Sequence, residues 1–230
     1  MTNPGIMYRL IAISAAIVIA GIILSGPPAV YFISLIQSQP EWVNVQTFID
    51  HYHPIQNLAW TGGFLLILGF AFFITSAYQL AVSPSQRVPA LLAIVFVTVF
   101  AVFIGFNYSM QIAWIPLLAE QEHESLGLVT MSNPRSLAWI LEMFGYGFLG
   151  LSTWCISMVF WGSRRMDIIR YLLIANGVIS IAGAIITTGG VNWLFKTSGI
   201  LSYTAWNLLI LVTMVLIYYE FRKRRLKGGH

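Results

Sequence analysis

The residue best suited to chemistry in this sequence is Glu142, the one acidic residue deep inside a long apolar stretch. A carboxyl group in hydrocarbon is costly and normally faces a protein interior or a cavity. It is expected to carry a proton when alone and to be ionised when paired, and Arg135 and Lys196 are its candidate partners. Two interpretations stay open: a functional carboxyl, or a structural one bonded to Asn107 or Gln111 on another helix.

Polar and aromatic side chains recur at helical spacing in several apolar stretches and form a candidate ligand-binding set. Aromatic walls with a few polar groups are typical of small-molecule sites. A single amide more often joins two helices, but the shared depth of these residues favours a site. The set consists of Glu142, Asn107, Gln111, Asn57, Asn207, Tyr146, Tyr203, Trp60, Trp139, Trp206 and His53, with Trp114 as a further aromatic residue.

The histidines and acids outside the apolar stretches raise the question of a metal site. His51 and His53 lie in one connecting segment, and His123 lies between Glu122 and Glu124 in another. Zinc favours three or four such donors, but no fixed ligand spacing links these residues, so we predict no metal. Motifs for phosphate binding or for a nucleophilic serine are also absent, so we predict no cofactor, and enzymatic activity stays uncertain.

The elements that must position these residues are membrane-spanning helices. The chain has 230 residues, of which 58% are hydrophobic and 9% charged, against about 25% charged in a soluble domain. Spanning the bilayer takes about 20 apolar residues. Six stretches qualify: about 7–26 (with a kink at Pro27-Pro28 and possible continuation to Ile36), 55–82, 88–118, 136–162, 168–189 and 198–220. We therefore predict an all-α integral membrane protein, a single six-transmembrane-helix bundle over 1–230, with a basic cytoplasmic tail over 222–230.

Basic residues predict the orientation of the bundle. With the N-terminus in the cytoplasm, ten basic residues fall inside and only Arg135 and Lys196 outside, which agrees with the positive-inside rule. The ten are Arg9, Arg87, Arg164, Arg165, Arg170, Arg222, Lys223, Arg224, Arg225 and Lys227. Both termini are thus predicted to be cytoplasmic, in a multi-pass protein of the cell (plasma or inner) membrane. Basic runs beside apolar segments favour membrane lipids as partners, and no nucleic-acid motif accompanies them.

This orientation places the candidate residues in the outer half of the bilayer, whereas the inner halves of the same helices are almost purely apolar. The sequence therefore predicts an outward-facing polar and aromatic pocket above an apolar floor. The function we favour is binding of a small organic or lipid-like ligand, for transport or sensing. One alternative is an intramembrane enzyme acting on a lipid or isoprenoid, with Glu142 as acid or base and His53 assisting. Another is a scaffold or assembly subunit without a ligand, and homo-oligomerisation stays open.

Overall fold

A computed structural model describes residues 4–227, and most of these residues are helical, with no strand among them. The longer helices are α1 (Pro4–Ser25), α2 (Pro27–Ile36), α4 (Asn57–Tyr78), α5 (Pro84–Ser109), α8 (Leu137–Ile156), α9 (Arg164–Thr187) and α10 (Thr197–Lys227). Three short helices lie in the connections: α3 (Val45–His51), α6 (Ile115–Glu120) and α7 (Leu126–Val129). The prediction of an all-α fold is confirmed.

Five helical segments of the described chain are long and apolar enough to cross a membrane. They are Pro4–Ile36, Pro54–Tyr78, Pro84–Glu120, Arg164–Thr187 and Thr197–Leu226. The fourth stretch predicted from the sequence forms α8, which has 20 residues but is not among the five. Glu142, Tyr146 and the glycines of α8 lower its hydropathy. The chain is thus a helical membrane protein by length and composition, and the sixth span is taken up below.

The long helices form a closed ring in the order of the chain. Helix α1 packs against α4 and α10, α5 packs against α4 and α8, and α9 packs against α8 and α10. Small residues permit the closest approaches, as is usual where helices pack in lipid. A Cβ atom on Gly21 would lie 2.6 Å from the backbone nitrogen of Leu66, and one on Gly150 would lie 2.7 Å from the Cβ of Ser180.

The two ends of the ring differ. One end carries the start of α1 and the end of α10 and is called the termini end. The other is covered by α3 and residues 115–136, which are called the cap. Phe48 of α3 packs with Ile115, Leu118 and Leu126 in a small apolar core inside the cap. The middle of the bundle and its termini end are filled by large side chains that are fully buried: Phe70, Phe73, Phe100, Phe160 and Phe221.

Two irregularities interrupt the long helices. Gly26 separates α1 from α2, and Pro27 and Pro28 begin α2, which agrees with the kink predicted there. Residues Met110–Trp114 form a π-helical turn between α5 and α6. Single π turns inside α-helices are rare and occur often at functional sites. This turn lies at the cap end, directly after the residues that contact Glu142.

Candidate functional site

Glu142 lies in the second turn of α8 and is held by two consecutive residues of α5. Its side chain is buried, and Glu142 is 8% exposed. The hydroxyl of Tyr108 donates a hydrogen bond to Oε1 at 2.8 Å, and Nδ2 of Asn107 donates to Oε2 at 2.9 Å. Each carboxyl oxygen therefore has one donor from α5. Asn107 also donates to the carbonyl of Ala138, at 3.1 Å, and so ties α5 to α8 twice.

Aromatic residues from other helices surround this carboxyl group. The hydroxyls of Tyr108 and Tyr146 lie 3.4 Å apart. Either hydroxyl can be the donor in that contact, so Tyr146 extends the hydrogen-bonded network of Tyr108 and Glu142. The ring of Trp60 on α4 lies 5.4 Å from that of Tyr108, and the ring of Trp206 on α10 lies 4.8 Å from that of Tyr146. Four of the six ring-forming helices thus contribute to the site.

Gln111, in the π turn, joins the site to the cap. Its Nε2 donates to the carbonyl of Val129 at 2.8 Å, and its Oε1 accepts from the backbone N–H of Met131 at 3.0 Å. The carbonyl of Met131 in turn accepts from Nε1 of Trp139 at 2.8 Å. Gln111 also approaches Asn107, with Nε2 3.5 Å from Oδ1. We call Glu142, Asn107, Tyr108, Gln111 and Tyr146 the Glu142 cluster, and the cap closes over it.

No basic side chain of the described residues pairs with Glu142. The two predicted partners, Arg135 and Lys196, are both exposed, and neither forms an ion pair with it. Within residues 4–226, the ion pairs are made by Glu220 at the termini end, with Arg165 and Arg224. The carboxyl of Glu142 is therefore buried among neutral donors and aromatic rings.

Several members of the predicted set lie outside the cluster. His53 is exposed and caps the turn Pro54–Gln56, since its Nδ1 accepts from the backbone N–H of Ile55 at 3.1 Å. Asn57 lies 3.5 Å from the hydroxyl of Tyr52.

On α10, Asn207 donates to the carbonyl of Tyr203 at 2.9 Å. Its side chain lies against Gly26, where a Cβ atom would come within 2.8 Å of Oδ1. Tyr203 itself is 45% exposed, and Trp114 is 47% exposed. Nε1 of Trp206 is bound by the hydroxyl of Ser180, at 2.9 Å, so the ring and not the polar atom faces Tyr146. Depth in the membrane was predicted for these residues, but depth does not determine which neighbour each one contacts.

Tyr108 is the member of the cluster that the sequence analysis missed. It follows Asn107 directly, and adjacent residues point about 100° apart on a helix, so a single polar face includes only one of them. The available signal is the polar hydroxyl itself, since a buried tyrosine usually finds a partner. The close packing of Gly63 on α4, where a Cβ atom would overlap the ring of Tyr108, is visible only in the structure.

The histidines of the connecting segments make local contacts. Nδ1 of His51 lies 2.9 Å from the carbonyl of Thr47, and Nδ1 of His123 lies 2.7 Å from the hydroxyl of Ser125. Among the described residues, no group of three or more His, Cys, Asp or Glu side chains comes close enough to hold a metal ion. Near α3, burial raises the pKa of Tyr52, with the Asn57 hydrogen bond acting in the opposite direction.

Comparison with known proteins adds no relative: the sequence matches no protein-family model, and no curated protein or solved structure matches it. The function must therefore be argued from the geometry above.

Proposed function

We propose that the protein crosses the cell membrane six times, with both termini in the cytoplasm and the cap outside. Helix α8 is the proposed additional span. It packs between α5 and α9, both of which are long and apolar enough to span the bilayer. A helix that packs between two membrane-spanning helices lies in the same membrane environment as they do. The polar residues of α8 are directed towards these two neighbours. The distribution of basic residues supports the orientation.

Within this topology, the Glu142 cluster is a binding site for a small organic ligand that carries a positively charged nitrogen. The observation that carries the proposal is a buried carboxyl group with no basic partner among the described residues, next to aromatic rings of Tyr108, Tyr146, Trp60 and Trp206. Without a partner this carboxyl group is expected to carry a proton, and a cationic ligand would supply the partner that allows it to ionise. Aromatic faces attract organic cations through their quadrupole, and this adds to the attraction of the carboxylate.

Access requires movement of the cap. Three hydrogen bonds connect the cap to the bundle above the cluster, from Gln111 to Val129, from Met131 to Gln111 and from Trp139 to Met131. The hydroxyl of Ser136, in the same segment, is buried and has no hydrogen-bond partner among the described residues. A ligand entering from the cap end would replace these bonds. Because large apolar side chains fill the termini end, binding for sensing or for the first step of transport is favoured over an open channel.

A scaffold role without a ligand is the second candidate. The observation that favours it is the complete hydrogen bonding of Glu142, which receives a donor on each carboxyl oxygen from α5. In that case the carboxyl holds α5 and α8 together. An intramembrane enzyme would need a second acid or base beside Glu142. His53 is exposed and bonds the backbone N–H of Ile55, so it cannot assist Glu142, and we favour binding over catalysis.

The test is ligand-induced stabilisation of the purified full chain in detergent. The probes are tetramethylammonium, choline and primary alkylamines, each paired with a neutral isostere such as the corresponding alcohol. A ligand that binds only the folded state stabilises it by about 2.7 kcal/mol at 100 times its Kd. We expect at least one cationic probe, and not its neutral isostere, to raise the melting temperature of the wild-type protein.

The matched variants are Glu142→Gln, which removes the charge and keeps the shape, and Glu124→Gln, which removes an exposed carboxylate of the cap. The proposal requires that Glu142→Gln abolishes the stabilisation and that Glu124→Gln retains it. If no cation stabilises the wild-type protein while Glu142→Gln lowers its melting temperature, the scaffold role replaces the binding role.

A further inference from the structure

A groove between α1 and α10 lies at the termini end of the bundle, separate from the Glu142 cluster. Its volume is about 450 Å³, within the range of about 300–1,000 Å³ that is usual for ligand sites. Apolar residues of α1 line its length, and three arginines lie at its end. The residues that carry the argument are Ala12, Ala16, Ala20, Arg9, Arg222 and Arg225.

The apolar part of the groove comes from the spacing of small residues. Ala12, Ala16 and Ala20 recur every four residues, so they lie on one face of α1 and leave room where larger side chains would fill the space. From residue 9 to residue 20, a helix rises about 16 Å at 1.5 Å per residue. That is close to half of the roughly 30 Å hydrocarbon core, the depth of one lipid leaflet.

The polar end of the groove carries positive charge without a protein counter-charge. Arg9, Arg222 and Arg225 are exposed, and none of them forms an ion pair within residues 4–226. Arg222 donates to the hydroxyl of Tyr218 at 3.3 Å. Its guanidinium carbon lies 5.9 Å from the centre of the same ring. Tyr218 therefore holds one of the three guanidinium groups beside the groove.

The relative position of the two helices at this end is fixed by packing. The rings of Tyr8 on α1 and Phe221 on α10 lie 5.7 Å apart, and Phe221 is fully buried. The arginines therefore converge from two helices whose spacing is set by the bundle core. Guanidinium groups match the geometry of phosphate oxygens and bind them with two parallel hydrogen bonds.

We propose that this groove binds one glycerophospholipid with an anionic headgroup. The phosphate lies between Arg9, Arg222 and Arg225, and an acyl chain lies along Ala12, Ala16 and Ala20. A zwitterionic phospholipid fits the apolar part equally well but carries its own positive charge to the arginines. The proposal is independent of the Glu142 cluster and requires only that the termini end lies at a headgroup layer.

The experiment is native mass spectrometry of the full chain with dioleoylphosphatidylglycerol or dioleoylphosphatidylcholine in mixed micelles. Wild-type protein is expected to retain one phosphatidylglycerol in preference to phosphatidylcholine. An arginine near an anionic lipid is worth roughly a fivefold change in affinity. The triple variant Arg9→Gln, Arg222→Gln and Arg225→Gln should therefore weaken phosphatidylglycerol binding on the order of a hundredfold. Glycerophosphoglycerol, the headgroup without acyl chains, should not displace the lipid at equal concentration.

Two further variants separate the groove from general surface charge. The combination Arg87→Gln, Arg135→Gln and Arg164→Gln removes three exposed cations outside α1 and α10 and should leave binding of the single lipid within about twofold. Ala16→Trp fills the groove at an exposed position and leaves every arginine in place, so it should also release the lipid. Equal losses in the two triple variants, displacement by the free headgroup, or wild-type binding in Ala16→Trp would each overturn the proposal. Unchanged thermal unfolding of each variant is the control for folding.

Discussion

The hydrogen bond from Tyr108 to Glu142 can be measured as an energetic coupling. Both residues are buried, at 4% and 8% exposure, and the oxygen atoms are 2.8 Å apart. The perturbations are Tyr108→Phe, which removes only the hydroxyl, and Glu142→Leu, which removes the carboxyl at similar volume. Side-chain hydrogen bonds in helical membrane proteins couple by about 0.6 kcal/mol on average and by at most about 1.7 kcal/mol. Both partners are buried and the contact is short, so we expect a value in the upper part of this range, about 1–1.7 kcal/mol.

The assay is reversible unfolding of the four proteins in mixed micelles with increasing dodecyl sulfate, followed by tryptophan fluorescence. The matched control is the cycle of Tyr146→Phe with Glu142→Leu. The hydroxyl of Tyr146 reaches Tyr108 at 3.4 Å, and the structure gives it no direct bond to Glu142, so its coupling should be below about 0.5 kcal/mol. A coupling of zero between Tyr108 and Glu142, with both single variants folded, would refute the geometry of the cluster.

Two further predictions concern packing and orientation. Gly63→Ala should destabilise the protein by about 1–3 kcal/mol, because the new methyl group overlaps the ring of Tyr108. Gly105→Ala is the control and should not destabilise it, since the nearest neighbour of the new methyl group would be 4.0 Å away. Equal melting temperatures for the two variants would contradict the close contact at Gly63. In a cysteine-free background, cysteine at Glu122 should react with an impermeant maleimide in intact cells, and cysteine at Arg164 only after permeabilisation. The reverse pattern would show that the cap faces the cytoplasm.

The long apolar helices could be predicted because hydropathy over about 20 residues depends little on tertiary contacts. The ends of these helices depend on local capping, and the effect of capping is harder to judge from the sequence. The third predicted stretch starts at 88, but α5 starts at Pro84, because Ser83 and Gln86 form a capping box. Conversely, the second stretch was predicted to extend to 82, whereas α4 ends at Tyr78.

The site was only partly accessible to sequence reasoning. Asn107 and Gln111 were found because two amides four residues apart mark one helix face, and both lie in the Glu142 cluster. Asn57 and Asn207 satisfy the same depth criterion but face Tyr52 and Gly26 instead. The difference is rotational: depth along a helix follows from counting residues, whereas the direction of a side chain follows from how the helices pack.

The role of the cap could not be read from the sequence for a related reason. Gln111 binds the backbone of Val129 and Met131, and a backbone carbonyl or N–H is present at every residue. Nothing in the types of these residues distinguishes them as partners. The π turn at Met110–Trp114 likewise adds a residue to the helix without a characteristic motif.

Isotope-edited infrared spectroscopy tests the central claim, that the carboxyl of Glu142 contacts a cationic ligand, most directly. With glutamate labelled at the carboxyl carbon, the difference spectrum between wild type and Glu142→Gln isolates the stretching band of this one group. The account predicts that a stabilising amine shifts this band and that its neutral isostere leaves it unchanged. A band that stays fixed when a stabilising amine is bound would show that the ligand does not reach Glu142.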